Sequence, residues 1–420
     1  MSKKIKSPGS GKKASAITGI VIAVIMVFFG VCSLIGFFGR KTNYKTMDNL
    51  EPVGTEIAAP TIDPDTGYWT FTVDRDLKVL QLTDVHFGAG AFCIRKDNWA
   101  MNAVYKMIKA EKPDLVIVTG DIAYPVPFQA GTINNKNAAK MFADLMEKLG
   151  VYWTFSFGNH DTEAYSLFTR KAIDQFYNDS DYKYCLYQSD SDAVDGYGNS
   201  VITIKNTEGM ITQALITIDS HSYTGGDIFG IAWNYDNIHQ NQVDWYADTI
   251  THLNDLNKMH FATLGPIQQA EYAASLGMTI EEFEQSSMIR SSAFFHIPLV
   301  EFYDAYHEYV DAGRNYTENV TYFDGKMGEK NDAIGCGKGT DNLFEKALEL
   351  GSTKAFFFGH DHLNTCTLVY KGISMTYGMS IDYLAYPGIW QKTEQRGGTR
   401  LVFDQKGDVT ITRISLNDVD

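Results

Sequence analysis

Five short segments of the sequence place side chains that can bind metal ions directly after an apolar stretch. They read Thr83-Asp84-Val85-His86, Gly120-Asp121, Gly158-Asn159-His160-Asp161, Phe295-His296-Ile297-Pro298 and Gly359-His360-Asp361-His362. In Asp-x-His and His-x-His, the two ligands are two residues apart, so they project to the same side of an extended chain and can bind one ion. Mixed His, Asp and Asn ligation without cysteine suits Fe, Mn or Zn better than a soft metal. Asp121 has two oxygens and can bridge two cations that lie about 3.5–4 Å apart.

Strands and helices alternate from about residue 68 and must position these segments. Apolar runs predict strands at 77–82, 114–118, 151–157, 214–218, 293–297, 354–358 and 373–377, with a closing hairpin at 401–403 and 409–411. Helical periodicity covers 98–110 and 136–149. In open α/β sheets, ligands bind at the carboxyl ends of the strands, where the five segments fall. The pattern predicts an α/β fold interrupted by a helical stretch at 259–290 and a long loop at 311–342.

The amino-terminal region is typical of a membrane anchor. Residues 14–38 form 25 consecutive uncharged positions, and about 20 suffice to cross the hydrocarbon core. A cleaved signal peptide is the alternative, but no small-x-small cleavage site stands out. Five lysines precede the span and three basic residues follow it, which predicts a cytoplasmic amino terminus and an extracytoplasmic body. We therefore predict a basic tail at 1–13, a transmembrane signal anchor at 14–38, a linker at 39–60 and one α/β domain at 61–420.

The charge of the body argues against a nucleic-acid partner. Residues 1–45 hold eight basic and no acidic residues, so the net charge of −15 leaves −23 on residues 46–420. A polyanion would be repelled by that body. The oligomeric state is not indicated by any feature of the sequence.

The five motifs resemble those of the calcineurin-like metallophosphoesterase superfamily, whose pattern is D-x-H, G-D, G-N-H-D/E, H and G-H-x-H. The sequence around the motifs is most similar to the branch of purple-acid-phosphatase-29-like and Dcr2-type phosphatases, as in the segments that begin at Ala110, Ala293 and Phe358. The resemblance implies a four-layer α/β/β/α sandwich of two mixed sheets. It also implies that Asp84, His86 and His362 hold one metal, that Asn159, His296 and His360 hold another, and that Asp121 bridges them. His160 would protonate the leaving oxygen as general acid, with Asp161 orienting it.

Two positions depart from the family pattern. Ile122 stands where the family commonly has asparagine after Gly-Asp. Tyr124 occupies a motif position similar to that of the tyrosine ligand of purple acid phosphatases, yet this chain keeps His86, which those enzymes usually lack. We therefore expect an uncoloured enzyme in which Tyr124 packs or contacts substrate. Cys93 and Cys366 both follow metal-binding loops, which suggests a disulfide, and Cys185–Cys336 is a weaker second pair. The alternative is that all four are unpaired and pack as small hydrophobic side chains.

The predicted function is hydrolysis of phosphomonoesters or phosphodiesters. Two cations lower the pKa of a bridging water to give hydroxide near neutral pH, and they stabilise charge on the phosphoryl oxygens. The alternative is a membrane-tethered binding module whose metal site lacks turnover. The substrate is left open: Tyr223, Phe229 and Trp233 could stack on a base or sugar, but core packing explains them equally well.

Overall fold

The computed structural model describes residues 10–189, 193–224, 234–286, 288–339, 341–392 and 394–419. Its α-helices are α1 (Ser10–Asp48), α2 (Ile94–Glu111), α3 (Pro127–Ala130), α4 (Asn135–Leu149), α5 (Arg170–Asn178), α6 (Gln240–Phe261), α7 (Pro266–Ser275), α8 (Ile280–Gln285), α9 (Val300–Asp311) and α10 (Leu343–Leu350). Its strands are β1 (Thr61–Ile62), β2 (Trp69–Thr72), β3 (Leu77–Leu82), β4 (Leu115–Thr119), β5 (Trp153–Ser156), β6 (Ser200–Lys205), β7 (Ile211–Thr217), β8 (Tyr223–Thr224), β9 (Asn234–Tyr235), β10 (Arg290–Phe294), β11 (Val320–Lys326), β12 (Thr353–Phe358), β13 (Thr365–Tyr370), β14 (Ile373–Tyr377), β15 (Gly397–Phe403) and β16 (Val409–Ser415).

The strands form two large mixed sheets and a small separate sheet of β8 and β9. The larger has the order β1-β2-β6-β7-β10-β12-β14-β13-β11, and the smaller has the order β16-β15-β3-β4-β5. In the smaller sheet β3, β4 and β5 run parallel. In the larger sheet β7, β10, β12 and β14 run parallel. The parallel strands therefore end together at one edge of each sheet.

Three apolar clusters stack the layers. One lies between the sheets and joins Val79 and Ile117 of the smaller sheet to Phe294 and Phe357 of the larger. A second covers the outer face of the smaller sheet with α2 and α4. A third covers the outer face of the larger sheet with α6, α9 and α10. The predicted four-layer α/β/β/α sandwich is confirmed.

The predicted strand at 373–377 coincides with β14, and the predicted strand at 77–82 coincides with β3. The predicted helical stretch at 259–290 contains α7 and α8, and α8 begins with a capping box between Thr279 and Glu282. The prediction of a long loop at 311–342 was wrong in part, because β11 lies within it and pairs with β13. Its outward side chains are polar, so the segment lacks the apolar run of a buried strand.

The disulfide hypothesis was wrong for Cys93 and Cys366, which are both free thiols. Cys93 packs with Ala130 and Leu384, whereas Cys366 belongs to the cluster on the outer face of the larger sheet. Cys185 and Cys336 are also free.

Helix α1 is long and apolar enough to cross a membrane, as judged by its length and composition. It differs from the predicted anchor and linker because it continues as one helix to Asp48 and packs on α2 and α4. Met47 is buried, Tyr44 Oη donates to Asp144, and Arg40 donates to the Ala89 carbonyl. The next residues are also attached to the body, since the backbone N–H groups of residues 53 and 54 donate to the Leu149 carbonyl.

Candidate metal centre

The candidate site lies where the parallel strands of both sheets end. Asp84 and His86 follow β3, Asp121 follows β4, and Asn159 follows β5 of the smaller sheet. His296 follows β10, and His360 and His362 follow β12 of the larger sheet. The structure brings together all seven of the side chains that the motifs predicted as ligands, and all seven are buried.

Asp121 occupies the centre of this group. Its Oδ1 accepts the backbone N–H of His160 at 2.8 Å. Its Oδ2 lies 3.3 Å from Nε2 of His86 and 3.1 Å from Nε2 of His296. One carboxylate oxygen therefore faces histidines on both sides, which is the arrangement that a bridging ligand requires.

The remaining ligand atoms gather around Asp121 in two sets. On one side, Oδ1 of Asp84 lies 3.3 Å from Nε2 of His362. On the other side, Nε2 of His296 lies 3.1 Å from Oδ1 of Asn159 and 3.3 Å from Nδ1 of His360. One possible ligand atom from each of Asp84, His86, Asp121 and His362 lies within 4.8 Å of the other three.

Hydrogen bonds on the far side of the rings fix which nitrogen points inward. Nδ1 of His296 lies 2.8 Å from the Thr119 carbonyl, so Nδ1 carries the proton and Nε2 is left as a ligand. Nδ2 of Asn159 donates to the Tyr223 hydroxyl at 2.8 Å, which turns its Oδ1 toward the centre. These outer contacts hold the ligands in the protonation state that metal binding needs.

Sequence reasoning missed Asp382. Its Oδ1 lies 3.1 Å from Nδ1 of His86, and its Oδ2 lies 3.0 Å from Nδ1 of His362, so one fully buried carboxylate serves two ligands. The ion pairing holds the pKa of Asp382 well below its usual range in spite of burial. Its signal in the sequence was its position five residues after the predicted strand at 373–377.

The electrostatics of the centre favour a cation. Burial alone would lower the pKa of His86, but Asp382 and Asp121 raise it to about 9. Burial would raise the pKa of Asp121, but His296 and His160 lower it well below its usual value. The negative field that favours a proton on these rings equally favours a metal ion in its place.

His160 lies at the rim, with its side chain 24% exposed. Its Nδ1 is 2.6 Å from Oε1 of Glu163, a residue that the sequence analysis did not select. The expectation that Asp161 orients His160 was wrong: the Asp161 carboxylate accepts the backbone N–H groups of Gly158, Asp121 and Ala123. Asp161 therefore positions the loop that carries the central carboxylate. Burial, together with the charge of Asp121, raises the pKa of Asp161 to about 6.

The ligand loops have an unusual backbone. Asp84, His86, Asp121 and His360 all have positive φ, between 50° and 78°. Each such residue costs roughly 1–3 kcal/mol, and strain of this kind is concentrated at functional sites. Gly158 meets a different requirement, because a Cβ there would collide with the Asp121 carboxylate.

Two aromatic residues border the centre. The ring of Tyr124 lies 4.7 Å from the rings of both His86 and His160, and its hydroxyl donates to Gln129. Tyr124 thus packs beside the centre, as expected. Tyr223 contacts Asn159 and donates to Glu163, while Phe229 and Trp233 lie outside the described residues.

The residues fit a metal centre on the chemistry of their donors. Oδ1 of Asp84 is buried without a hydrogen-bond partner and faces the cluster. Four imidazoles, two carboxylates and one amide oxygen converge there, and such a donor set suits first-row metals. A buried donor atom without a partner is costly unless a cation completes its interactions.

Comparisons with known proteins agree with this site. Residues 77–277 match the sequence model of the calcineurin-like phosphoesterase family. The predicted resemblance to the calcineurin-like phosphoesterases is thereby confirmed over these residues.

Similar proteins include three from Arabidopsis thaliana. The chain is 26% identical over 341 residues to "Probable inactive purple acid phosphatase 14", covering 75% of this chain and 73% of that protein. It is 23% identical over 340 residues to "Probable inactive purple acid phosphatase 28", with the same coverage. It is 25% identical over 333 residues to "Probable inactive purple acid phosphatase 29", covering 75% and 74%. The predicted likeness to the purple-acid-phosphatase-29-like branch is thus confirmed.

Among solved structures, a dimetal phosphatase from Danio rerio aligns with 81% of this chain and 99% of its own, at 9% identity and a TM-score of 0.43.

Proposed function

We propose that this protein is a membrane-anchored, metal-dependent phosphoesterase that hydrolyses phosphomonoesters or phosphodiesters. The observation that carries the proposal is the convergence of six side chains that can bind metal around a seventh, Asp121, with His160 at the rim. Asp84, His86 and His362 would hold one ion, Asn159, His296 and His360 would hold the other, and Asp121 would bridge them. Fe, Mn and Zn all suit this donor set. Two such ions, when bound, supply an acidified water as nucleophile and positive charge for the phosphoryl oxygens.

The protein's own residues contribute position and a proton. Asp121 keeps Oδ1 on the His160 backbone, so only Oδ2 is directed into the centre. Glu163 lies against Nδ1 of His160, which leaves Nε2 of that ring to donate a proton to the leaving oxygen. Protonation of a leaving alkoxide typically contributes about 10²–10⁴-fold to the rate. His160 is therefore assigned as the general acid and Glu163 as its positioning residue.

The anchor and its orientation belong to the same proposal. Helix α1 would cross the membrane, with residues 1–13 in the cytoplasm and the catalytic domain, residues 61–420, on the extracytoplasmic side. The five lysines before the span favour this orientation.

A binding module without turnover is the second candidate, because the three Arabidopsis relatives carry "inactive" in their names. The complete ligand set and the His160–Glu163 pair support the enzyme instead.

The test uses the full chain in detergent, stripped with a chelator and supplied in turn with Mn²⁺, Zn²⁺ and Fe²⁺. Turnover of p-nitrophenyl phosphate and bis-p-nitrophenyl phosphate is measured for the native protein and for Asp121→Asn. His160→Ala is tested beside His252→Ala, which removes an exposed histidine of α6. We expect metal-dependent turnover that is lost in Asp121→Asn and reduced in His160→Ala but unchanged in His252→Ala. Two tightly bound ions without turnover on any ester would favour the binding module.

A further inference from the structure

The catalytic domain contacts α1 well inside its apolar run. The ring of Phe92 lies 6.4 Å from the ring of Phe28, centroid to centroid. Cys32 of α1 is 4% exposed, and a Cβ on Gly36 would lie 3.4 Å from the Ala91 nitrogen. The loop at 88–93, which follows the ligand His86, therefore packs along one face of the anchor.

The position of these contacts fixes their depth. The uncharged run covers residues 14–38, and about 20 residues are needed to cross the hydrocarbon core. Every 20-residue window within that run contains residues 19–33, so Phe28 and Cys32 lie in the core whichever window spans it. A loop that touches Phe28 must then enter the bilayer surface.

The side chains of this region suit such an environment. Phe92 is 49% exposed and Phe128 of α3 is 93% exposed, so burial of these rings in lipid would be favourable. Backbone groups at and near these two residues are paired within the protein. The Phe92 N–H donates to the Ala130 carbonyl, and the Gly131 N–H donates to the Pro127 carbonyl. Internal pairing is what lipid requires of a backbone that enters it. We call the segment formed by residues 88–93 and α3 the apolar rim.

The apolar rim adjoins the metal centre. Gln129, next to Phe128, donates to the Ala385 carbonyl at 2.6 Å. The following residue, Tyr386, is 38% exposed and stacks on the ring of His362 at 4.5 Å. On the inner side, Tyr124 packs with Ala130 and touches His86. One layer of side chains thus separates the bilayer-facing surface from the ligands.

We propose that the apolar rim inserts into the membrane surface and that the substrate is a phosphate ester of a membrane lipid headgroup. This proposal rests on the proposed phosphoesterase activity and anchor. In the reaction, a P–O bond of the ester breaks and a bond forms between phosphorus and the oxygen of water. One proton of that water is transferred overall to the departing alcohol oxygen, with His160 as the final donor. A lipid held at the bilayer surface would reach the centre beside Tyr386 without leaving the membrane.

The first experiment measures insertion independently of activity. Full-length Phe128→Trp is reconstituted in phosphatidylcholine nanodiscs with or without brominated acyl chains, which quench nearby tryptophan. The matched control is Ile267→Trp, an exposed position (74%) on α7, which packs in a separate cluster with Phe283 of α8. We expect the fluorescence added by the tryptophan at 128 to fall at least twofold with brominated lipid and that added at 267 to be unchanged. Equal fluorescence in both lipids at position 128 would overturn the proposed insertion.

The second experiment measures substrate preference in phosphatidylcholine nanodiscs that also contain phosphatidic acid. Hydrolysis of phosphatidic acid in the bilayer and of soluble glycerol 3-phosphate is compared for the native protein and for the Phe92→Ser, Phe128→Ser double variant. We expect the variant to lose about tenfold on the lipid and to retain its rate on the soluble ester and on p-nitrophenyl phosphate. An unchanged lipid rate, or equal losses on all three, would overturn the lipid assignment. Absence of turnover on p-nitrophenyl phosphate by the native protein would instead count against the phosphoesterase itself, and the quenching result would still decide insertion.

Discussion

Replacing Asp382 by asparagine should weaken one metal site and leave the other nearly intact. Oδ1 of Asp382 accepts the backbone N–H groups of Leu384 and Ala385, at 2.6 and 2.9 Å, so the asparagine oxygen must stay there. Its NH₂ group then faces Nδ1 of His362, where Oδ2 was 3.0 Å away. His362 can accept from that group only by moving its proton to Nε2, which removes Nε2 as a ligand.

The magnitude follows from the contacts that are lost. Outer partners of metal-binding histidines typically contribute about 10–100-fold to affinity, or roughly 1.4–2.7 kcal/mol. Because the Asp382–His362 pair is buried, we expect the upper end of that range for the site of Asp84, His86 and His362. The ligands Asn159, His296 and His360 have other partners, so affinity of the second site should change by less than about threefold.

The assay is Mn²⁺ titration of the chelator-stripped full chain by calorimetry, which resolves two sites of different affinity. Asp361→Asn is the control, since its carboxylate accepts from Gly335 N–H and the Tyr377 hydroxyl but contacts no ligand ring. Native affinity at both sites in Asp382→Asn would refute the assignment of Asp382 as the support of His362. Equal weakening of both sites would show that the two ions do not bind as independent sets.

Three further substitutions test the centre and the fold. Gly158→Ala should abolish metal-dependent turnover by displacing the Asp121 carboxylate. Gly265→Ala, where the nearest atom is 3.5 Å away, should leave turnover unchanged and lower the melting temperature only slightly, because Gly265 is the N-cap of α7. Glu163→Gln should slow hydrolysis of alkyl phosphates about tenfold more than that of p-nitrophenyl phosphate, whose leaving group needs less protonation, without changing metal content. Burial and the charge of Asp341 raise the pKa of Glu301 to about 8, so its contribution is fully present below about pH 4.5 and is lost as pH rises to 8. Because Glu301 is partly reached by solvent, we reduce the expected effect. Glu301→Gln should raise the free energy of unfolding by roughly 2 kcal/mol over the native protein at pH 9 and by little at pH 5, as measured by chemical denaturation.

The seven candidate ligands could be predicted from sequence because each can be recognised from its own short segment of the chain. Each ligand lies within four residues of the end of an apolar strand, and strands of this kind meet at a sheet edge whatever their order. Strand β14 and the hairpin of β15 and β16 could also be predicted, because each is marked by a short apolar run in the sequence.

The supporting residues could not be predicted because their partners are distant in the chain. Asp382 lies 296 positions from His86, and no spacing in the sequence links them. Glu163 follows His160 by three residues, yet only the short helical turn at His160–Thr162 shows that Glu163 rather than Asp161 reaches the ring. The Cys93–Cys366 hypothesis failed because two loops that meet at the site do not bring together the cysteines that follow them: Cys93 precedes α2, whereas Cys366 lies on β13 and packs in another cluster.

The docking of α1 on the body changes how the domain can move. A flexible tether over residues 39–60 would let the domain range over roughly 25 Å above the bilayer. The continuous helix to Asp48, held by Arg40 and Tyr44, removes that freedom. With α1 across a membrane, as proposed above, a domain held in this way would act in cis, on the leaflet in which it sits, and would meet its targets by lateral diffusion. The height of the domain above the bilayer would then depend on bilayer thickness, because hydrophobic mismatch that tilts or shifts the helix would move the candidate metal centre with it.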